Sequence, residues 1–167
     1  MLSGHYDHWK VLAELEVEED CDYVDFTNLD INRDWEYYLD VTIKNPTGST
    51  SRYYLFIEGD YTITNYYSQY VYATDTSLSA GRQNYPSVGD LITGERALFN
   101  IKIAKDPDGY FRYFVTINFR TGSNQAILLR AGSKTAPVSN ITSIRVAAQV
   151  SGAIGAGSRF ILARVRG

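Results

Sequence analysis

Glu14, Glu16 and Glu18, in the stretch ELEVEE, put three carboxylates on one face of a strand. Two carboxylates flanking a sugar are the minimum machinery of a retaining glycosidase. The spacing argues against it. On a regular strand the Cα atoms of Glu14 and Glu18 stand about 13 Å apart, whereas the retaining mechanism brings its carboxyl groups to about 5–5.5 Å. A bulge or converging side chains would have to close that gap. A solvated acidic face is the expectation, with no catalytic residue assigned.

Two other clusters carry the right residue types. His5, Asp7 and His8, in HYDH, could offer metal ligands, but two histidines three apart near a terminus read as a frayed polar end. The chain holds no other histidine, so a Ser-His-Asp triad would have to draw its base from these first eight residues. DPDG at 106–109 resembles part of a calcium loop but lacks the glutamate due at the twelfth loop position; Pro107 and Gly109 favour a tight turn. No metal and no cofactor are expected.

Tyrosine is the outlier of the composition, with 14 residues. Seven of them, Tyr53, Tyr54, Tyr61, Tyr66, Tyr67, Tyr70 and Tyr72, fall between positions 53 and 72. Neighbours on a strand point to opposite faces, so in the pairs Tyr53-Tyr54 and Tyr66-Tyr67 one ring of each faces outward. Outward rings give large contact area at low entropy cost and suit either a subunit contact or stacking on a sugar ring. Tyr54, Tyr66, Tyr67, Tyr70 and Tyr72 are the candidate ligand-binding residues.

The elements that must position these groups are strands. In WEYYLDVTIK the apolar residues Trp35, Tyr37, Leu39, Val41 and Ile43 alternate with polar ones, which places one face in the core and one in water. The same alternation puts Phe99, Ile101 and Ile103 inward in ALFNIKIA, and Phe111, Tyr113, Val115, Ile117 and Phe119 inward in FRYFVTINFR. Ile144, Val146, Ala148 and Val150 share a face of ITSIRVAAQV. KVLAELEV, DYVDF, RYYLFIEG, ITNYYSQYVYA, NQAILLRAG and RFILARV are further candidates. Turn signals separate them: NPTGSTS at 45–51, DPDG at 106–109, TGSN at 121–124 and SGAIGAG at 151–157. About ten short strands at this spacing predict an all-β fold, an antiparallel β-sandwich of the jelly-roll or concanavalin and laminin-G-like kind.

At 167 residues the chain suits a single domain over 1–167, with 1–8 frayed. The single Cys21 forms no intramolecular disulfide and leaves the redox compartment open. No apolar run is long enough for a spanning helix, and MLSGHYDHWK has no basic-then-apolar signal pattern, so no membrane insertion is expected. The net charge of −3 hides an asymmetry. Residues 1–40 carry twelve acidic side chains against two basic, and residues 96–167 eleven basic against two acidic. Acidic early strands are therefore expected beside basic late ones. The basic residues are dispersed and the domain as a whole is acidic, which excludes a nucleic-acid partner.

Two resemblances bear on function. ELEVEE is similar to the E-x-D-x-E pattern of laminarinase-type glycoside hydrolases, but with Glu16 where that family has Asp and at the start of the chain instead of mid-domain. The second covers almost the whole chain. Ile141, Ile144 and Val146, then Gly157, Ser158, Phe160 and Leu162, resemble the closing I-x-x-I-x-(apolar) and G-S-x-F-x-L strands of C-terminal β-sandwich modules in tail-fibre and minor structural proteins of tailed bacteriophages and related viruses. Trp9, Val11 and Leu12, the V-D-F-T-N-L stretch at 24–29, Leu55, Gly59 and Asp60, and NYYSQYVYA resemble that family's earlier elements in order and spacing. ARVRG departs from it, since a Tyr-Gly pair is common there after the leucine. This resemblance implies a virion surface or tail-appendage component without catalysis. Its partners would be copies of itself or other virion proteins, with a host-surface glycan as a second contact. The alternative is a free-standing carbohydrate-binding module with a concanavalin-like sandwich. In either case Phe160 and Leu162 are expected in the core, with the Gly152–Gly157 turn returning the last strand antiparallel onto the Ile141–Val150 strand. Loss of Arg164 to Gly167 is expected to be mild.

Overall fold

The computed structural model describes residues 9–74, 77–121 and 124–165. Its strands are β1 (Trp9–Glu16), β2 (Tyr23–Phe26), β3 (Glu36–Lys44), β4 (Ser51–Ile57), β5 (Tyr66–Thr74), β6 (Leu78–Gln83), β7 (Ser87–Leu91), β8 (Arg96–Lys105), β9 (Phe111–Thr121), β10 (Asn124–Lys134), β11 (Ile144–Ala148) and β12 (Arg159–Val165). One helical turn, α1 (Ile31–Asp34), precedes β3, and a 3-10 turn over Ile63–Asn65 leads into β5. The strands form two antiparallel sheets, one of eight in the order β1-β12-β3-β8-β9-β10-β5-β6 and one of four in the order β2-β11-β4-β7. The protein is an all-β antiparallel sandwich.

Alternation decides the core. Tyr37, Leu39, Val41 and Ile43 of β3, Phe99, Ile101 and Ile103 of β8, and Phe111, Tyr113, Val115 and Ile117 of β9 are buried on the inner face of the large sheet. Val24, Phe26, Tyr53, Leu55, Ile57, Val88, Ile144 and Val146 meet them from the small one. Phe119 is only partly buried, at the periphery. DPDG is the tight turn its residues predict: Gly109 N donates to Asp106 O at 2.9 Å, and the Asp106 carboxylate takes Tyr110 N and Arg112 Nε. The charge asymmetry resolves into pairs across early and late elements, Glu14 with Arg159, Asp25 with Arg145 and Asp34 with Arg164.

The structure corrects five expectations. The ten sequence candidates all form strands, but β6 and β7 join them; LSAGRQ and SVGDL lack apolar alternation, and glycine interrupts both. Trp35 does not share the inward face of β3. It terminates α1 at a positive φ (59°), so alternation starts only at Glu36 and the indole is 62% exposed. Val150 lies beyond the end of β11.

The largest correction concerns the glycine-rich segment. It does not fold β12 back onto β11, because β11 lies between β2 and β4 in the small sheet while β12 lies between β1 and β3 in the large one. Residues 149–158 cross from one sheet to the other. The crossing is packed: Ala153, Ile154 and Gly155 are buried, Ile154 bridges Cys21, and Tyr53 Oη donates to Ala153 O at 2.7 Å. A Cβ at Gly155 would sit 2.9 Å from Lys44 O and from the Pro46 ring, so only glycine fits there. Arg164 likewise is not a dispensable end, since its guanidinium reaches the buried Asp34 carboxylate at 2.9 Å.

HYDH, the outer part of the TGSN turn and residues 166–167 lie outside the described residues.

Candidate functional site

The five candidate tyrosines do not converge. Tyr66 is 1% exposed; it packs edge-on against Phe56 and Phe111 and donates to Asp60 O at 2.8 Å. Burial pushes its hydroxyl well up. It pins the turn that leads into β5. Burial also pushes the Asp60 carboxyl up, but Lys134, Asn65 and the Thr62 N–H outweigh that effect and hold it down at about 2. Tyr54 lies on the outer face of the small sheet, packed on Phe56 and edge-on to Tyr85. Tyr67 faces outward on the large sheet, with the Arg82 guanidinium 5.1 Å from its ring.

Tyr70 and Tyr72 are the exception. They share a parity with Ser68, which is fully buried, and so point to the inner side of β5. The small sheet has four strands against eight and stops at β7, so the inner faces of β5 and β6 project beyond it. Under this overhang lies a groove of about 340 Å³, walled by Tyr70 and Tyr72 of β5, Ser79 and Gln83 of β6, Phe119 of β9, Leu128 and Arg130 of β10, Asp90 of β7, and Ile92 and Glu95 of the loop that follows. That volume is at the lower end of the range of ~300–1,000 Å³ common to ligand pockets.

Each wall has a local cause. Tyr70 lies flat across Gly81, its cross-strand partner; a Cβ there would come within 2.8–2.9 Å of the phenol ring, so the missing side chain makes room for the tyrosine. Tyr72 stacks on Phe119 at 6.2 Å between centroids. Arg130 shares the parity of the buried Leu128 and turns inward, where it is 3% exposed. Its guanidinium lies 5.3 Å from the Tyr70 ring centroid and Nη1 donates to Gln83 Oε1 at 2.5 Å. Its buried Nε has no hydrogen-bond partner.

Among the described residues no carboxylate comes within ion-pair distance of Arg130. Asp90, the nearby acid, is engaged by Arg52 Nε at 2.7 Å, and the Glu95 carboxylate accepts from Ile92 N. Burial pushes the Arg130 guanidinium down from its ordinary value, although arginine stays charged. A buried cation without an ion-pair partner costs several kcal/mol. Among the described residues that cost falls in the wall of the aromatic-lined groove.

The sequence-predicted acids form no such site. Glu14 is exposed and paired with Arg159, Glu16 and Glu18 are exposed, and Glu18 lies beyond the end of β1. None of the three lines the groove. Among the described residues no group of three or more His, Cys, Asp or Glu side chains could hold a metal ion, and no helix is long and apolar enough to cross a membrane.

Arg130, Gln83, Asp90 and Glu95 were not among the sequence candidates. In NQAILLRAG apolar residues occupy both parities, so nothing local says that Arg130 is the inward one. Gln83 and Asp90 sit on the two strands that the apolar pattern does not reveal.

Comparison with protein-family models finds no matching family, and the search of curated proteins returns no match.

Proposed function

We propose that this chain is a non-catalytic structural subunit of a virion surface or tail appendage, which assembles with copies of itself. The observation that supports this reading is the outer face of the large sheet. On the β12-β3-β8 half that face is mostly polar, with Arg159, Glu36, Asp40, Lys44, Arg96, Asn100 and Lys102 around a single strongly exposed apolar residue of β8, Leu98. On the β9-β10-β5-β6 half it carries an apolar patch bordered by Gln69, Arg82, Thr116 and Asn118. Phe114 is 47% exposed, Ile127 49%, Leu129 40% and Val71 44%, and Ala131 and Ala80 join them. Leu129 is opposite Val71, Val71 opposite Ala80 and Phe114 opposite Ala131, so the residues form one contiguous patch.

Contiguous apolar patches of this kind mark interaction sites, because single scattered apolar residues are the norm on a monomer. A twofold contact lets the same patch cover itself, which needs no second protein. Placement in a virion rests on the resemblance of the closing and opening strands to tail-fibre modules.

Sedimentation at micromolar concentration is expected to show a stable oligomer for the parent chain. Val71→Lys with Leu129→Lys should sediment as a monomer with little change in melting temperature, since surface changes usually stay within about 0.5 kcal/mol. A parent chain that sediments as a monomer would end the assembly reading.

The non-catalytic half of the proposal predicts no release of reducing sugar from soluble β-glucans. Hydrolysis by the parent that is lost in both Glu14→Gln and Glu18→Gln would overturn it.

A further inference from the structure

We propose that the groove beneath the overhang of β5 and β6 binds a neutral sugar, with Tyr70 and Tyr72 as the apolar platform and Arg130 as the buried donor. The site is independent of self-association, because it opens on the inner face of the large sheet and the apolar patch occupies the outer one.

The donor and acceptor set selects the ligand class. Arg130 lines the groove, its Nε is a buried donor without a partner, and Gln83 takes only one of the guanidinium's five N–H donors, so the group has donors left for an oxygen. Asp90 and Glu95 line the same groove; each accepts one hydrogen bond within the fold, from Arg52 Nε and Ile92 N, and keeps further acceptor sites for a donor. A carboxylate or phosphate would satisfy Arg130 but bring its charge beside Glu95 and the Asp90–Arg52 pair, at a cost from like charge. An apolar ligand would leave the Nε donor as it is. A hydroxyl both accepts and donates, so two neighbouring hydroxyls of a sugar ring satisfy the guanidinium and a carboxylate together. The apolar face of the same ring suits the Tyr70 and Tyr72 surfaces.

A purely structural Arg130 would account for the bond to Gln83 but not for the orphan donor. Nor would it account for a buried charge that has no ion-pair contact among the described residues, which an apolar side chain of similar length would avoid. Function and stability should therefore separate at this position.

The test is a glycan array carrying neutral oligosaccharides beside sialylated and uronic-acid-terminated ones, followed by calorimetry with the best neutral oligosaccharide. The parent chain is expected to bind neutral glycans. Arg130→Met should keep or raise the melting temperature while weakening that binding at least tenfold. Tyr72→Ala should weaken it similarly, and Glu14→Gln, far from the groove, should leave it unchanged. The proposal is overturned if the folded parent binds no neutral glycan, if it binds acidic glycans only, or if Arg130→Met binds as well as the parent. Repeating the titration with the Val71→Lys, Leu129→Lys variant separates the two proposals, since loss of the oligomer should not alter sugar affinity.

Discussion

Replacing Phe160 with alanine is expected to destabilise the domain by about 3–5 kcal/mol. The ring is fully buried, with Phe26 of the opposing sheet 6.4 Å away between centroids. It sits on β12, a central strand whose neighbours β1 and β3 both belong to the same chain; Phe160 faces Leu15 on one side and Val41 on the other. Removing the ring opens a cavity between the sheets, and the hydrogen-bonded strands on either side limit how far it can collapse. At ~2–4 °C per kcal/mol for a domain of this size, the melting temperature should fall by about 6–20 °C. Soluble yield should fall with it, because the loss is a large part of the ~5–15 kcal/mol that holds a domain folded. Ile161→Ala is the control. That side chain points to the other face and is only partly buried, so its loss should cost much less. An unchanged melting temperature for Phe160→Ala, with an oligomer of the parent abolished, would mean that β12 acts as an arm exchanged between subunits.

Burial of Phe160 was readable from period-two alternation in RFILARV, and so were most inward residues of β3, β8 and β9. Alternation reports which face of a strand is apolar. It carries no information on which sheet a strand joins, and this is where the reading of SGAIGAG fails. A glycine-rich segment between two strands fits a hairpin and a crossing equally well. What decides the crossing is long-range: Cys21 and Lys44 supply backbone partners to Ile154 and Gly155, and Tyr53 reaches Ala153. The candidate site was half legible for the same reason. Aromatic density marked β5, but parity alone separates Tyr70 and Tyr72 from Tyr67, and the overhang exists only because one sheet is twice as wide as the other.

Arg164→Met is expected to cost about 3 kcal/mol, near the low end of the ~3–5 kcal/mol for removing one partner of a buried ion pair. Asp34 is 1% exposed and ends the helical turn before β3. Arg164, on β12, reaches it at 2.9 Å with a side chain that is itself 12% exposed, and Tyr37 Oη donates to Asp34 Oδ2 at 3.1 Å. Without Arg164 the carboxylate stays buried with less compensation. Arg33 Nε remains at 3.3 Å, but its side chain is 56% exposed and screened by water, which is why the cost falls short of the full range without vanishing. The penalty comes from a buried charge that has lost part of its compensation and not from lost packing, so neutralising Asp34 should relieve it. Asp34→Asn keeps an acceptor for Tyr37 while removing the charge. The double variant Asp34→Asn, Arg164→Met should accordingly be more stable than Arg164→Met alone, and urea unfolding of the four proteins in the cycle measures that coupling. If the double variant is less stable than the single by the full cost of Asp34→Asn in the parent, the two side chains act independently, and the 2.9 Å contact contributes nothing to holding α1 against the closing strand.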